Sequence, residues 1–364
     1  MLKSIIKQKM SPETKIKLRE KKRYVKSLFQ KSTLNVDLKY KSKILIIGVA
    51  DYDNLGDHAI GYAQRLFLDS ISIDKNKYEI IEVPLNTPVN HISNIINQND
   101  IILITGGGNL GTKYEFLNDL YLPIIKKFPQ NKKLFFPQSY TFDPINDTST
   151  AIDRIKNIFS KSGDNLTITA RESKSYKLFK ETFPNNNIIL TPDIVLSLNK
   201  NENKTKTNKS DIIMLMRSDS EKTLDQNTEK QIINKLSSKY KITIDDTVTP
   251  DFISHENRLS NLDSTWNKIK QNKLVITDRL HGMIFAQITG TPCIVFDNYN
   301  NKIKMTCKDW LYDMNHIRFI NPNEIKDPND FLNIASDLMS KPTKQFNIAD
   351  KYEPLRQQLT DIIN

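Results

Sequence analysis

The sequence is poor in cysteine and has no long apolar run. Cys293 and Cys307 are the only cysteines among 364 residues, and they fit neither a disulfide framework nor a metal site. No His, Cys, Asp or Glu residues cluster with metal-ligand spacing, so we expect neither a metal nor another cofactor. No stretch of about eighteen apolar residues is present, which excludes a membrane-spanning helix. The first residues lack the apolar core of a secretory signal, so we expect a cytoplasmic protein.

Acidic residues are scarce only at the beginning of the chain. Residues 1–43 carry fourteen Lys or Arg and three Asp or Glu, which accounts for the whole net charge of +11. Basic residues alternate there with Leu and Ile, which predicts amphipathic helices on an anionic surface such as the inner face of the cell membrane. A solvated basic arm is an equally good interpretation. We expect no nucleic-acid partner, because no aromatic–basic platform accompanies the charge.

Short apolar runs alternate with helix-like stretches in both halves of the chain. They predict strands at residues 43–48, 78–83, 101–105, 133–136, 166–170, 188–190, 212–216, 241–244, 274–276 and 293–296. Strands that alternate with helices indicate an α/β fold with parallel, Rossmann-like sheets. Two such domains joined by a linker would face each other across a ligand cleft.

The chain divides into five predicted segments. A basic extension spans residues 1–43, and a first Rossmann-like domain spans 44–198, with a helix from about residue 57 to residue 67. The polar, apolar-free segment 199–210 is typical of a linker. A second Rossmann-like domain follows over 211–345. Residues 346–364 contain a helix, and the sequence leaves open which domain it contacts.

The turn Asn54-Leu55-Gly56-Asp57-His58 follows the first predicted strand. A glycine turn that leads into a helix offers backbone N–H groups to an anion or a hydroxyl-rich ligand. Asp57 and His58 add polar groups that can recognise sugar hydroxyls. The alternative is a simple turn capped by Asp57. The G-x-G-x-x-G spacing of a dinucleotide site is missing.

Glycine is scarce overall, yet four of the ten glycines lie within the six residues 106–111. The segment Gly106-Gly107-Gly108-Asn109-Leu110-Gly111 follows the third predicted strand. Consecutive glycines let the backbone approach a ligand closely. We interpret the segment as part of a ligand cleft, with a purely structural loop as the alternative.

The third motif is Thr277-Asp278-Arg279-Leu280-His281-Gly282, directly after an apolar strand. Thr277 and Asp278 form a plausible helix cap, and helix starts favour anions. Arg279 adds a planar fork for a carboxylate or phosphate. His281 can donate or accept a proton near neutral pH. The alternative is an arginine paired with a core carboxylate and a histidine that is merely packed.

Three weaker candidates end other predicted strands. Arg171 could supply a second cation, although Arg171 and Glu172 could equally form a surface ion pair. Gln138, in Phe136-Pro137-Gln138-Ser139, could line the cleft. The alternative, nearly as good, is that this segment is simply the end of a strand at the proline. Thr191-Pro192-Asp193 is interpreted as a turn.

Taken in order, these motifs resemble those of the polysaccharide pyruvyl transferase family. The resemblance covers roughly residues 44–300 and includes the motifs beginning at Asn54, Gly106, Phe136, Ala170 and Thr277, and then Gly290-Thr291-Pro292. The family is similar to two-domain glycosyltransferases of the GT-B type. Its members transfer a pyruvyl group from phosphoenolpyruvate to a sugar of a cell-surface polysaccharide precursor, commonly as a cyclic ketal.

The resemblance implies a role for each site residue. His281 would be the general acid and base, while Arg279, Arg171 and Asp278 would bind the donor phosphoenolpyruvate. Residues of the first domain would contact the acceptor saccharide or form the wall of the cleft: Asn54, Asp57, His58, Gly106, Gly107, Gly108, Asn109 and Gln138. In one version of this prediction the acceptor is lipid-linked. One departure concerns the glycine-rich loop, where Thr112 and Lys113 replace the acidic residue that often follows.

Two other functions remain open on the sequence alone. The first is a glycosyltransferase of the same architecture that uses a nucleotide-sugar. The second is a non-catalytic module that the basic extension tethers to a polysaccharide assembly complex at the membrane.

Overall fold

The computed structural model describes residues 42–113, 115–142, 148–201, 210–219, 222–298, 301–321, 325, 328–341, 343–344 and 346–364. The predicted basic extension lies outside the described residues except for its last two positions. Most of the predicted linker lies outside them as well.

The first domain is built on a parallel sheet covered by helices. Its described strands are β1 (Ser42–Val49), β2 (Tyr78–Pro84), β3 (Ile101–Ile104), β4 (Gly107–Leu110), β5 (Lys133–Tyr140), β6 (Leu166–Ala170) and β7 (Asn187–Leu190). They lie in the order β2-β1-β3-β5-β6-β7, and β4 pairs with β5. The connecting helices are α1 (Leu55–Asp69), α2 (Val89–Ile95), α3 (Glu115–Lys127), α4 (Thr148–Ser160) and α5 (Ser173–Thr182).

The second domain repeats this plan. Its described strands are β8 (Ser210–Leu215), β9 (Ile242–Asp245), β10 (Asn272–Thr277), β11 (Cys293–Phe296) and β12 (Ile317–Ile320), in the order β12-β11-β10-β8-β9. The helices are α6 (Gln226–Ser237), α7 (Arg258–Lys270), α8 (Leu280–Thr289), α9 (Lys302–Trp310) and α10 (Pro328–Ser340), and α11 (Glu353–Ile363) ends the chain. Central strands such as β11 are buried on both faces, which is why they consist of continuous apolar residues.

The predicted α/β architecture of two Rossmann-like domains is confirmed. All ten predicted strands are present, with ends that differ by up to four residues. Strands β4 and β12 were not predicted. The β4 segment is mainly glycine, and β12 alternates apolar with polar residues at the sheet edge, so neither forms a continuous apolar run. Residues 136–139 lie inside β5, where a register shift between Phe135 and Gln138 accommodates Pro137.

The two domains share a continuous apolar core. Leu55 and Ala59 of α1 belong to the same buried cluster as Trp266 of α7 and Met283 of α8. The Nζ atom of Lys200, in the predicted linker, lies 4.5 Å from the Trp266 ring centroid and 5.3 Å from that of Tyr62. The chain between the domains is therefore held against both of them.

The C-terminal helix returns to the first domain, which answers the question left open by the sequence. Gln358 of α11 accepts a hydrogen bond from Asn187 of β7. The ring of Tyr352, just before α11, packs on Phe67 of α1 at a centroid distance of 5.7 Å. No helix among the described residues is long and apolar enough to cross a membrane.

Candidate active site

The start of α8 carries the third motif to the carboxyl edge of the second sheet. Thr277 Oγ1 donates a hydrogen bond to the Leu215 carbonyl at 2.6 Å and accepts one from the Arg279 N–H at 3.0 Å. A side chain on Gly282 would collide with Thr277, so the tight turn requires glycine. The predicted cap by Thr277 and Asp278 is wrong. Arg279 occupies the cap position without a side-chain hydrogen bond, because Thr277 binds Leu215 at the end of β8 and Asp278 binds Arg217, two residues beyond it.

His281 meets residues of the first domain on two sides. Its Nε2 atom lies 3.7 Å from Oδ2 of Asp193, beyond hydrogen-bond length but close enough for a strong electrostatic interaction. The opposite edge of the ring lies against Gly56, at the start of α1. The side chain of His281 is 13% exposed. The histidine of one domain is thus enclosed by the other.

Asp193 is the buried carboxylate of this site. Its Oδ2 accepts a hydrogen bond from Arg171 Nη1 at 2.8 Å, and its Oδ1 accepts one from the Val195 N–H at 3.0 Å. Burial alone would raise the pKa of Asp193, but the adjoining His281 and Arg171 lower it well below the ordinary range. Asp193 is therefore ionised and presents a negative charge to the histidine ring.

Arg171 lies at the centre of a buried polar network. Its Nε donates to Ser139 Oγ at 2.7 Å, and Ser139 donates in turn to Glu172 at 2.9 Å. Ser175 also donates to Glu172, and the Trp310 indole of the second domain donates to the Arg171 carbonyl at 2.8 Å. Because Arg171 and Glu172 are both buried, the alternative of a surface ion pair is wrong. The network holds the guanidinium rigidly beside Asp193.

Arg279 faces two carboxylates of its own domain. Its Nε and Nη2 donate to the two oxygens of Asp246 at 2.9 and 2.7 Å, a bidentate pairing that orients the guanidinium plane. Its Nη1 lies 3.3 Å from Asp219 Oδ2, and Asp219 also binds Arg217 through two hydrogen bonds of 2.8 and 3.0 Å. Two arginines and two carboxylates therefore surround the start of α8.

Asp278 is fully buried below this cluster. Its Oδ1 accepts the Arg217 N–H at 2.8 Å, while its Oδ2 has no hydrogen-bond partner among the described residues. Burial raises the pKa of Asp278 to about 6, because the hydrogen bond and the neighbouring arginines only partly offset the loss of hydration. The carboxyl group can therefore change its protonation state close to physiological pH.

The turn before α1 is organised by Asn54. Its side chain caps the helix by accepting the Gly56 N–H at 3.0 Å, so the prediction of Asp57 as the cap is wrong. Asp57 accepts a hydrogen bond from the Tyr52 hydroxyl at 2.9 Å. His58 is fully buried, its Nε2 is 2.6 Å from the Tyr52 carbonyl, and burial lowers its pKa. A neutral ring that donates from Nε2 fits these contacts.

The glycine-rich segment forms β4 and is tied to β5. Gly107 has φ = 124°, a conformation that favours glycine. The Asn109 N–H donates to Gln138 Oε1 at 3.2 Å, and its side chain donates to the Gly106 carbonyl at 3.0 Å. Gly108 approaches Arg171, since a Cβ there would lie 3.7 Å from Nη2. Gln138 is fully buried and holds this loop in place through its hydrogen bond with Asn109.

The structure brings His281, Arg171 and the turn at Gly56 together, and it places Arg279 and Asp278 at the start of the same helix. Sequence reasoning missed Asp193, Asp246, Asp219 and Arg217. A signal did exist, because Asp193 follows β7 and Asp246 follows β9, and the carboxyl ends of parallel strands form sites. Among the described residues no group of three His, Cys, Asp or Glu is placed to hold a metal.

Comparison with known proteins identifies the family of this chain. The sequence model of the family "Polysaccharide pyruvyl transferase" matches residues 54–301. General stress protein 30 of Bacillus subtilis (strain 168) is 31% identical over 317 residues, covering 86% of this chain and 90% of that protein. Pyruvyl transferase 1 of Schizosaccharomyces pombe is 26% identical over 287 residues, covering 74% and 70% respectively.

A solved structure shows the same fold. The crystal structure of a protein from Klebsiella pneumoniae superposes with a TM-score of 0.52 at 19% identity, covering 85% of this chain and 99% of that chain. The fold is that of a two-domain α/β protein with a Rossmann-like sheet in each domain. The chain belongs to the polysaccharide pyruvyl transferase family, as the resemblance of its motifs indicated.

Proposed function

We propose that this protein transfers the pyruvyl group of phosphoenolpyruvate to a sugar of a cell-surface polysaccharide precursor and forms a cyclic ketal. The observation that carries the proposal is the position of His281. It is the second residue of α8, two positions after Arg279, and its Nε2 lies 3.7 Å from Asp193 of the buried pair Asp193–Arg171. An anionic enol ester requires a proton-transfer group and cations in one site.

The donor would bind through its negative charges. Phosphoenolpyruvate carries a carboxylate and a phosphate, and Arg279 still has N–H bonds beyond those that hold Asp246 and Asp219. The first N–H groups of α8 and the helix dipole favour an anion at the same place. Arg171 would face the other end of the donor, with Asp193 keeping its guanidinium in place. Asp278 would form the buried floor of the donor site.

The chemistry can be written without a redox step. A proton added to C3 of the donor gives oxocarbenium character at C2, and a sugar hydroxyl attacks C2 as it loses its own proton. The bond from C2 to the phosphate oxygen then breaks, phosphate leaves with the bond electrons, and a second hydroxyl closes the ketal and releases its proton. His281 would supply and accept these protons, an effect of about 10²–10⁴-fold in rate.

The acceptor would approach from the first domain. The turn at Asn54, Asp57 and His58 follows β1 and lies against His281 of α8, and the loop 106–109 follows β3 of the same sheet. His58 is buried, so Asn54 and Asp57, which are partly exposed, would contact the sugar more directly. We propose that the acceptor is lipid-linked only if residues 1–43 contact the membrane.

The test is ligand-induced stabilisation. Wild type, Arg279→Ala and the exposed control Arg318→Ala are heated with phosphoenolpyruvate, a UDP-sugar or a GDP-sugar. Ligand at about 100 times its Kd should stabilise by roughly 2.7 kcal/mol, which is visible as a shift in Tm. We expect a shift with phosphoenolpyruvate that Arg318→Ala keeps and Arg279→Ala loses. A shift with a nucleotide-sugar alone would replace this proposal with glycosyl transfer.

A further inference from the structure

The two nitrogens of His281 lie in different surroundings. Nε2 is buried, has no hydrogen-bond partner in the part of the chain that the structure describes, and lies 3.7 Å from the ionised Asp193. Nδ1 lies on the edge of the ring that faces the bare Cα of Gly56. A carboxylate beside one nitrogen of a histidine favours the tautomer with the proton on that nitrogen and leaves a lone pair on the other.

Gly56 is required by space and not by backbone conformation. It lies in the first turn of α1, where alanine would form a better helix than glycine. A methyl group on Gly56 would lie 3.0 Å from Cβ of His281, 2.7 Å from Cγ and closer still to Nδ1. Carbon atoms do not approach each other this closely, so either the turn or the histidine ring would have to move.

The turn itself is held firmly by the second domain. The Leu55 N–H donates to the Thr247 carbonyl at 2.9 Å, and Asn54 forms an antiparallel bridge with Val248. The Thr249 N–H donates to the Asp53 carbonyl at 2.8 Å. Because these bonds resist a retreat of the turn, a methyl group at position 56 would displace the ring of His281.

We infer that Nδ1 is the nitrogen of His281 that exchanges protons with the substrate, and that Gly56 is a positioning residue that leaves this nitrogen uncovered and correctly aimed. The inference rests on the proposed function. It makes the first domain part of the catalytic apparatus, because Asp193 orients the ring from one side while Gly56 sets its position from the other.

The first experiment determines the tautomer and needs no substrate. The chain has five histidines, so their ring nitrogens can be resolved by ¹⁵N NMR, with His281→Gln assigning the signal of interest. The spectrum is recorded at about pH 8.5, above the ordinary pKa of histidine. We expect His281 to carry its proton on Nε2. A proton on Nδ1 would overturn the inference, whatever the protein's substrate.

The second experiment separates positioning from folding. Gly56→Ala should lower kcat by about 10²-fold, since small misplacements of a reacting group have effects of this size, and should leave KM for phosphoenolpyruvate nearly unchanged. Gly61→Ala is the matched control, because it lies on the same helix and a Cβ there meets only the side-chain atoms Val49 Cγ1 and Arg258 Nη1, at 3.0 and 3.2 Å.

The outcomes distinguish the inference from the proposed function. Equal kcat values for Gly56→Ala and Gly61→Ala would overturn the role of Gly56. A wild-type protein that neither binds nor consumes phosphoenolpyruvate would refute the proposed function, while the tautomer and the displacement of the His281 signal in Gly56→Ala would still be measurable.

Discussion

Arg258 of the second domain and Glu82 of the first form a buried ion pair, with Nη1 2.7 Å from Oε2 and both side chains 7% exposed. His255 adds a contact of 3.2 Å from its Nδ1 to the same oxygen. Burial alone would raise the pKa of Glu82, but its hydrogen bonds to His255 and Arg258 lower it below the ordinary value. The two domains are therefore joined by charge as well as by apolar contacts.

Replacing one partner of this pair should destabilise the protein in a pH-dependent way. Arg258→Met leaves Glu82 buried without its cation, which we expect to lower the free energy of unfolding by about 3 kcal/mol at pH 7. Glu82 with its lowered pKa stabilises the fold above its unfolded pKa and loses this contribution as pH falls through the folded value. The difference from wild type should shrink in acid.

Urea unfolding at neutral and acidic pH measures this effect. Arg65→Met is the control, since Arg65 and Asp69 form an exposed pair whose loss should change stability by less than about 1 kcal/mol. A pH-independent difference for Arg258→Met would contradict the assignment to Glu82.

Asp278→Asn should make the protein more stable at neutral pH. The pKa of Asp278 is raised to about 6, so the folded state holds this proton more tightly than the unfolded state. Stability therefore falls as pH rises from about 4 to about 6, and the asparagine variant avoids this loss, which amounts to roughly 2–3 kcal/mol.

Activity should change in the opposite direction. A buried carboxyl without a partner for Oδ2 weakens the fold, which is typical of groups retained for function. We expect lower turnover from the more stable Asp278→Asn variant. Thermal unfolding of both proteins between pH 4 and 8 measures their stability, and an activity assay measures their turnover. Parallel pH profiles of stability for wild type and Asp278→Asn would refute the prediction on stability.

Tyr352→Phe should affect the site from the C-terminal segment. The Tyr352 hydroxyl donates to the Asp193 carbonyl at 2.5 Å, and its removal leaves this buried carbonyl with the Leu196 N–H, at 3.0 Å, as its remaining donor. We expect a loss of about 1–2 kcal/mol of stability and a several-fold lower kcat, with little change in KM. The control is Tyr240→Phe, because the Tyr240 hydroxyl forms a hydrogen bond with Ser336, also in the second domain. If kcat falls equally in both variants, the contact with Asp193 has no special role.

Asp246→Asn tests how Arg279 is held. The bidentate pairing orients the guanidinium, so its loss should raise KM for phosphoenolpyruvate by about 10-fold, equivalent to about 1.4 kcal/mol, with a smaller change in kcat. Lys268→Met, which breaks the exposed pair with neighbouring Asp245, is the control. Tighter binding in Asp246→Asn would mean that Asp246 competes with the donor for Arg279.

Removal of residues 1–41, the part of the basic extension that precedes β1, should weaken binding to anionic vesicles. Each basic residue near such a surface contributes roughly 1 kcal/mol, and this extension carries the whole net charge of the chain. Sedimentation with vesicles that contain phosphatidylserine, beside neutral vesicles, measures the difference at low salt. Equal binding of the full and shortened chains would leave the solvated arm as the correct interpretation.

Much of the fold could be read from local patterns. Central strands such as β1, β3 and β11 are apolar and β-branched because they are buried between helices, and this burial leaves a direct mark on the sequence. Strand β4 was not predicted, because its glycines do not form an apolar pattern. The C-terminal end of β5 differs from the prediction because a register shift lets the strand continue past Pro137, which local rules treat as a strand end.

The sequence by itself determined the two α/β domains, the position of Arg279 and His281 after β10, and the family. These features depend on patterns within a few residues. Only the tertiary structure decided which groups meet His281, because Gly56 and Asp193 are far from it in the chain and are brought to it by two sheets that face each other. Their roles depend on distances between domains, and no spacing along the chain encodes those distances.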